Sequence, residues 1–452
     1  MKKKFVVYSF LFLIAFVMIP SQAIASQSAP SSIKIGLYYD KTAKHAYELY
    51  SDSGFIIISK TVGEEKPFEI SDRVIQVAFS TNQNPNQNNF NNVSVTSKEG
   101  EFKLELPSDM DNPIIVQNRK QEEVVALDGK KYRGRMLIWP SDYNRLTVVN
   151  ELGMEEYLYG VLPKEMPPSW PAEALKAQAV ASRTYAACNI AKWDKFGFDL
   201  TDGVLDQVYA GYDVENKQTN MAVDETRGKL IIYAGEPIQA FYHSDSGGIT
   251  ENGSETMSVN LPYLKSVRDV METNSPTSMW EVSYTPEYIN RQIKSLKGID
   301  LGDIYDLSII ERTSSNRVSK LLVSGTLGQK EFTGSDIRTI FNLKSTLFDV
   351  QIGNFSLYIV SGQGPMQTKV LNNAHINTAF GITKVNLSNL FFVGSGGCSR
   401  QIHLGNTEGF KIVGRGLGHG LGMSQWGARA MAENGYNYID ILQHYYNDVT
   451  IK

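Results

Sequence analysis

The sequence predicts an α+β protein, with short antiparallel sheets packed by helices and a smaller β-rich region ahead of them. Three observations predict it. Residues 31–60 alternate apolar and polar with turn residues between, as half-buried strands do. Capped helical runs occur later in the chain without alternating one-for-one with strands. Residues 283–345 read as helix, turn, two strands and helix, a local arrangement that suits helices laid on antiparallel pairs.

In chain order, Lys2, Lys3 and Lys4 precede the apolar run Phe5 to Ile19, then Pro20 and Ala23-Ile24-Ala25. These are the charged, apolar and small-residue parts of a secretory signal, residues 1–25, with cleavage expected after Ala25. The apolar run is short for a spanning helix of about 20 residues. It would act as a membrane anchor only if left uncleaved. A net charge of −4 over 452 residues, with 42% hydrophobic content, is an ordinary soluble balance. No basic patch points to nucleic acid. Cys188 falls on a predicted helix and Cys398 in a Gly-Ser loop; they form no metal motif, and their pairing is left open.

The β-rich region spans residues 31–130. Within it, TNQNPNQNNFNNVSV (81–95) is poor in core formers and reads as a loop. A turn at Asp128-Gly129 closes the region, and a soft boundary near residue 130 separates it from a second domain, 131–452.

Residues 161–186, VLPKEMPPSWPAEALKAQAVASRTYA, carry the sharpest chemical signal. Pro163, Pro167 and Pro168 bracket Glu165, and proline restricts both itself and the residue before it. Lys164, Glu165 and Met166 are therefore expected in a stiff, non-helical segment. A helix follows from about Ser169 or Trp170, with Pro171 and Glu173 in its first turn. Ala172, Leu175, Ala179, Ser182 and Ala186 form a stripe of small residues fit for close packing. A rigid acid beside a docked helix suits general acid/base chemistry. On spacing alone, a solvated surface charge is the commoner meaning of such a glutamate.

Two further islands stand out. GRGLGHGLGMSQWGA (414–428) places glycines at 414, 416, 418, 420 and 422, a period of two that predicts a strand with one bare face. It lacks the Gly-Lys-Ser/Thr of a phosphate loop. Helices are expected at about 424–433 and 438–446, separated by Gly435. The other island, AFYHSDSGGITENGSE (240–255), concentrates hydroxyls and carboxylates around His243. Farther on, YTPEYINRQIKSL and TGSDIRTIF read as capped helices flanking the hairpin SIIERTSSNRVSKLLVSG.

Taken together, LTVVNELGMEEYLYGVLPKEM, KAQAVASRTYA, the His243 island, TGSDIRTIFNLKSTLF and the C-terminal glycine string resemble the stage II sporulation protein D and LytB amidase-enhancer family. The resemblance covers about residues 131–450. It implies that Glu165 is the acid/base of a peptidoglycan lytic transglycosylase. Such an enzyme cleaves glycan strands to 1,6-anhydro-muramic ends and prefers strands stripped of stem peptides. Catalytic roles then fall to Glu165 and Arg183, the latter in holding the acid's loop or binding substrate. The groove would be lined by His243, Ser244, Ser246, Gly418, His419, Gly420, Ser424, Gln425, Trp426 and Tyr209; Tyr185, Tyr209 and Tyr212 are candidates to stack on or hydrogen-bond sugar, with core packing the better explanation for at least one of the three. To work as an acid near neutral pH, Glu165 would need desolvation from Met166, Pro167 and Trp170. Some relatives bind a metal through a cysteine and a second histidine in the His243 island. Here Ser246 and Ile249 stand at those places, so no metal and no cofactor are expected; Asp245 or Glu251 could serve only a weak site. The implied partners are glycan strands and a cell-wall amidase, in a secreted or wall-associated setting. The amidase-enhancer branch implies the alternative, a non-catalytic binding role.

Overall fold

The computed structural model describes residues 29–452, apart from 62–63, 82–90, 99–101, 121, 258–259, 270–274, 276–278, 353–355, 360–366, 371–374, 379–380, 385–390, 394–398 and 402–408. The expected signal segment and Cys398 lie outside the described residues. The chain forms two units, one built from the described residues up to Tyr242 together with Ala428–Lys452, the other from His243–Gly427. The architecture is α+β, as the strand and helix patterns predict.

In the first unit a seven-stranded sheet runs in the order Leu200–Thr201, Ser32–Tyr38, Arg145–Gly153, Arg135–Ser141, Ile114–Asn118, Phe55–Thr61, Glu64–Ile70. Every pairing is antiparallel except the first. A six-stranded sheet adds Lys130–Tyr132, Val125–Leu127, Ala46–Tyr50, Val74–Thr81, Asn91–Ser97 and Lys103–Pro107. Alternation explains the strands: Ile33, Ile35 and Leu37 point inward from Ser32–Tyr38, and Ile75 and Val77 from Val74–Thr81. Asp128 and Gly129 both have positive φ (49° and 84°), as a tight hairpin turn requires. Strand Ser32–Tyr38 pairs with Arg145–Gly153, so residues on both sides of position 130 share one sheet. Residues 91–95, expected in a loop, belong to a strand, because Val93 and Val95 bury completely on one face.

Helix α1 (Met154–Glu165) follows directly from strand Arg145–Gly153. The carboxylate of Glu156 turns back to accept from the Gly153 N–H at 3.1 Å, closing the helix start. The structure corrects the expectation for the acid's segment: Lys164 and Glu165 are helical, and the helix passes through Pro163. A proline this close to the C-terminus forfeits one backbone hydrogen bond, and little helix remains after it to disrupt. The stop comes at Met166, whose extended φ/ψ (−130°, 139°) is the conformation that Pro167 imposes on its predecessor.

Helix α2 (Ala172–Cys188) starts after Pro171, slightly later than predicted. Leu175, Ala179, Ser182 and Ala186 of the small-residue stripe are buried, whereas Ala172 is exposed. Helix α3 (Lys217–Glu225) is capped by Asn216.

The second unit holds the short α4 (Gly253–Thr256), then α5 (Pro286–Lys297) and α6 (Gly334–Ile340), each of the latter capped by a threonine side chain. They pack with two antiparallel sheets, Trp280–Tyr284/Phe410–Gly414/Phe348–Ile352 and Ile304–Arg312/Val318–Gly325/Gly328–Thr333. Ile289, Ile293, Leu321, Val323, Ile337, Phe341, Phe410 and Ile412 form their shared core. The glycine string is corrected: strand pairing ends at Gly414, and Gly416, Gly418, Gly420 and Gly422 all take positive φ in a loop. Alternating glycine here serves left-handed backbone, which a strand would not use.

Helix α7 (Gln425–Glu433) carries the chain back into the first unit, where α8 (Tyr438–Tyr445) and the terminal strand Thr450–Ile451 close it. Among the described residues, no helix is long and apolar enough to cross a membrane.

Candidate functional site

Glu165 is the last residue of α1 and is half-buried, with buried Met166 behind it and half-buried Trp170 beyond. The opposite end of α1 is held by Arg183 from α2. The Arg183 guanidinium is fully buried and forks onto Glu155, with Nη2 to Oε2 at 2.6 Å and Nε to Oε1 at 3.0 Å. It also donates to the carbonyls of Lys229 and Val223, both at 3.2 Å. Arg183 is thus committed to clamping α1, α3 and the following loop, and offers no open face for substrate. Of the two roles expected for it, the geometry fits holding the acid's element.

A buried polar chain starts from the middle of α1. Tyr157, on α1, donates to Gln207 Oε1 at 3.2 Å, and Gln207 Nε2 donates to the Tyr242 hydroxyl at 3.0 Å. The Ser182 side chain also hydrogen-bonds Tyr242, and Gln178 Nε2 donates to Ser182 Oγ at 3.0 Å. Burial, followed by the charge of Glu165, holds the Tyr242 phenol far above its ordinary pKa. Tyr157 is raised likewise, by burial first, with Asp206, Tyr185 and Glu165 adding to it.

Tyr209 departs from its expected place in a groove. It is buried, its hydroxyl donates to Asn150 at 2.8 Å, and its ring packs against Tyr132 and Tyr157. A Cβ at Gly160 would stand 2.6 Å from that ring, so the glycine is what admits it to the core. Tyr185 is likewise buried, bonded to Asp206. Asp206 has a fully buried carboxylate that also receives Lys192, Trp193 and Thr201. Tyr212 remains partly exposed, with Arg133 over its ring.

In the second unit the His243 island and the glycine loop are brought together. Asp245 and Leu417 exchange backbone hydrogen bonds, the Gly418 N–H bonds to Lys344, and the Trp426 N–H donates to Ser244 O at 3.0 Å. His243 is buried, and its Nδ1 lies 3.0 Å from Leu421 O. Nδ1 therefore carries the proton, and Nε2 presents a lone pair that has no partner among the described residues. The exposed His419 accepts at Nδ1 from the Leu421 N–H, and the two imidazole rings are 5.6 Å apart. Burial, then the charges of His419 and Arg317, push His243 well below the usual histidine range. Ser246 and Ser424 are fully buried: Ser246 Oγ donates to Asp269 at 3.0 Å, and Ser424 Oγ accepts from the Gly427 N–H, capping α7. Both hydroxyls serve loop geometry. Gln425 is buried and Trp426 half-buried.

Arg317, in the turn of the Ile304–Arg312/Val318–Gly325 hairpin, escapes sequence reading. Its buried guanidinium donates to Ser246 O at 2.6 Å and Ile249 O at 3.2 Å, and lies 3.9 Å from Glu251. Glu251 is held above the usual carboxylate range, chiefly by burial. Nothing in TSSNR distinguishes this arginine from an ordinary solvated turn residue. Glu155, Gln207 and Tyr242 were missed for the same reason: each takes its role from partners distant in sequence.

Among the described residues, no three His, Cys, Asp or Glu side chains cluster as a metal site needs. Two clefts of about 620 and 600 Å³ flank the start of α1, lined in common by Gly153 and Glu156; neither is lined by Glu165 or the histidines.

Comparison with known proteins places this geometry in a family. A family model described as Stage II sporulation protein matches residues 142–233, the strand, acid helix and docking helix of the first unit. A second, described as Domain of unknown function (DUF8618), matches residues 254–365. An uncharacterized protein of Brachyspira hyodysenteriae is 32% identical over 328 residues, 72% of this chain and 73% of that protein. The Amidase enhancer of Bacillus subtilis is 31% identical over 377 residues, 80% of this chain but 49% of its own length. Stage II sporulation protein D of Bacillus amyloliquefaciens is 29% identical over 319 residues, 67% of this chain and 75% of that protein. The chain belongs to the stage II sporulation protein D and amidase-enhancer family.

Proposed function

We propose that this protein is an exported lytic transglycosylase of peptidoglycan, with Glu165 as its acid/base. The observation that carries the reading is the setting of Glu165: a half-buried carboxylate at the end of a helix whose other end is locked by the Arg183–Glu155 pair. Protonated Glu165 gives its proton to the glycosidic oxygen after N-acetylmuramic acid, and the C1–O bond breaks. The C6 hydroxyl of the same sugar closes onto C1, and the Glu165 carboxylate takes its proton. The acid is regenerated, no water is consumed, and one carboxyl performs both transfers. Hydrolytic glycosidases generally divide these roles between two carboxylates.

In this reading the chain acts outside the cytoplasm, free or wall-bound if the signal is removed and membrane-anchored if it is not. A wall amidase that strips stem peptides would prepare its substrate.

The second reading is a non-catalytic partner of such an amidase, favoured by the name Amidase enhancer carried by the Bacillus subtilis relative. Amidase-treated glycan strands incubated with the residue 26–452 protein, wild type and Glu165→Gln, with and without EDTA, separate the two. Anhydro-muramic products from wild type alone, seen by mass spectrometry and indifferent to EDTA, support the transglycosylase. Strand binding by both proteins without any product supports the partner role.

A further inference from the structure

We infer that the larger cleft at the start of α1 binds a short zwitterionic peptide, which brings a free ammonium group to Asn118 and Glu123 and a carboxylate to the basic rim. The site lies wholly within the first unit.

The cleft forms where four strands of the seven-stranded sheet end together. Ser32 pairs with Gly153, Arg135 with Glu151 and Met136 with Val116, so Ser32, Gly153, Arg135 and Asn118 come to one end of the sheet. Its volume of about 620 Å³ is that of a pocket for a small ligand.

The polar groups around it divide into spent and unspent. Arg119 pairs with Glu69 at 2.9 Å, and Arg135 with Glu151 at 2.6 Å. Lys120 is 75% exposed and reaches Glu123 Oε1 only at 3.5 Å. Asn118 is 5% exposed, and its Nδ2 donates to Glu123 O at 2.8 Å. That bond fixes the amide and makes Oδ1 the other prong. Asn118 Oδ1 and Glu123 Oε2 are both buried and have no partner among the described residues. Glu156, on the far wall, gives Oε2 to the Gly153 N–H.

The unspent groups are thus acceptors, and a buried acceptor without a donor carries a desolvation cost that a ligand donor removes. A primary ammonium supplies three N–H donors and the charge that matches Glu123. It takes the place of the loosely held Lys120 Nζ, and the freed Lys120 then meets the ligand's carboxylate. A metal ion fits the cleft less well, because among the described residues no three His, Cys, Asp or Glu side chains converge. Arg119, Lys120 and Arg135 face Glu123, Glu151 and Glu156 across the cleft, so the lining is electrically balanced and suits a ligand of both signs. Under the transglycosylase reading, on which this last step rests, the stem peptides of unprocessed strands have that chemistry. The cleft would give such strands a hold on the chain besides their sugars.

The test titrates the residue 26–452 protein with the tripeptide L-Ala-γ-D-Glu-L-Lys, by calorimetry and by ¹⁵N NMR of the asparagine side-chain amides. Saturable binding that shifts the Asn118 amide is expected. Acetylating both amino groups of the peptide should weaken binding roughly 10-fold or more. Glu123→Gln should weaken it similarly without lowering Tm, since the carboxylate's contact with Lys120 is exposed and long. Glu433→Gln, on α7, is the control and should bind as wild type does. Absence of saturation, equal binding of the acetylated peptide, or unchanged affinity in a folded Glu123→Gln overturns the inference. So does calcium chloride binding that shifts the same amide and excludes the peptide. If Glu123→Gln does not fold, the acetylated peptide on wild type decides without a variant. The tripeptide contains no sugar, so its binding is read whether or not the chain releases anhydro products. Failure to release them sinks the transglycosylase reading alone.

Discussion

The guanidinium of Arg317 occupies the space that a side chain on Gly420 would need. A Cβ built on Gly420 would stand 2.6 Å from Arg317 Cζ, and Gly420 itself has φ +87°. Two reasons for glycine therefore coincide, a left-handed backbone and a buried cation pressed against it. The Glu251 N–H donates to Gly420 O at 2.8 Å, so the same residue ties the glycine loop to the His243 island.

Gly420→Ala should therefore cost about 2–4 kcal/mol from backbone strain and overpacking. Chemical denaturation measures it. Gly435→Ala is the control: it shares a positive φ of 87° but meets nothing within 4 Å, so it should lose only the strain component.

Breaking the clamp on α1 should be costlier. Glu155→Gln leaves a fully buried arginine without its counter-charge, a loss of about 3–5 kcal/mol. Replacing both partners with apolar residues should restore part of it. If Arg183 instead bound substrate directly, Arg183→Lys would raise KM without lowering Tm; the structure predicts that Tm falls.

Asp202 gives a pH signature. Burial raises its pKa to about 6, against about 3.9 when unfolded. Below pH 4 both states are protonated and the shift has no effect. As pH rises from 4 to 6 the unfolded chain ionises first, so stability falls and stays reduced above 6. Because Asp202 is partly exposed, the loss is set at about 1–2 kcal/mol. Asp202→Asn should raise Tm at pH 7.5 and leave it unchanged at pH 4.

His243 acts with the opposite sign. Its folded pKa is depressed, so its contribution is full above about 6.5 and is lost as pH falls below that value, when the unfolded chain takes up the proton. His243→Asn should flatten this acid-side loss in a Tm series from pH 7.5 to 5.

Much of the framework was legible in local pattern. Strand alternation placed Ser32–Tyr38, threonine capping placed α5 and α6, and proline grammar gave Met166 its extended, non-helical backbone. Proline grammar alone misread Lys164 and Glu165, because it weighs a residue's own φ/ψ without the neighbouring helix that holds α1 in place. The period-two glycines misled similarly: a strand and a run of left-handed turns can share the same spacing.

The sequence by itself determined the α+β class and the family, since these depend on short-range periodicity and contiguous motifs. Only the tertiary structure decided which polar residues are spent on the fold. Arg183, Tyr209, Ser246 and Ser424 have their polar atoms engaged by buried partners, whereas Arg317 gains a role that no local string announces. The physical reason is that burial makes hydrogen-bond partnership obligatory, and the partners that satisfy it lie as far apart in the chain as His243 and Leu421, 178 positions.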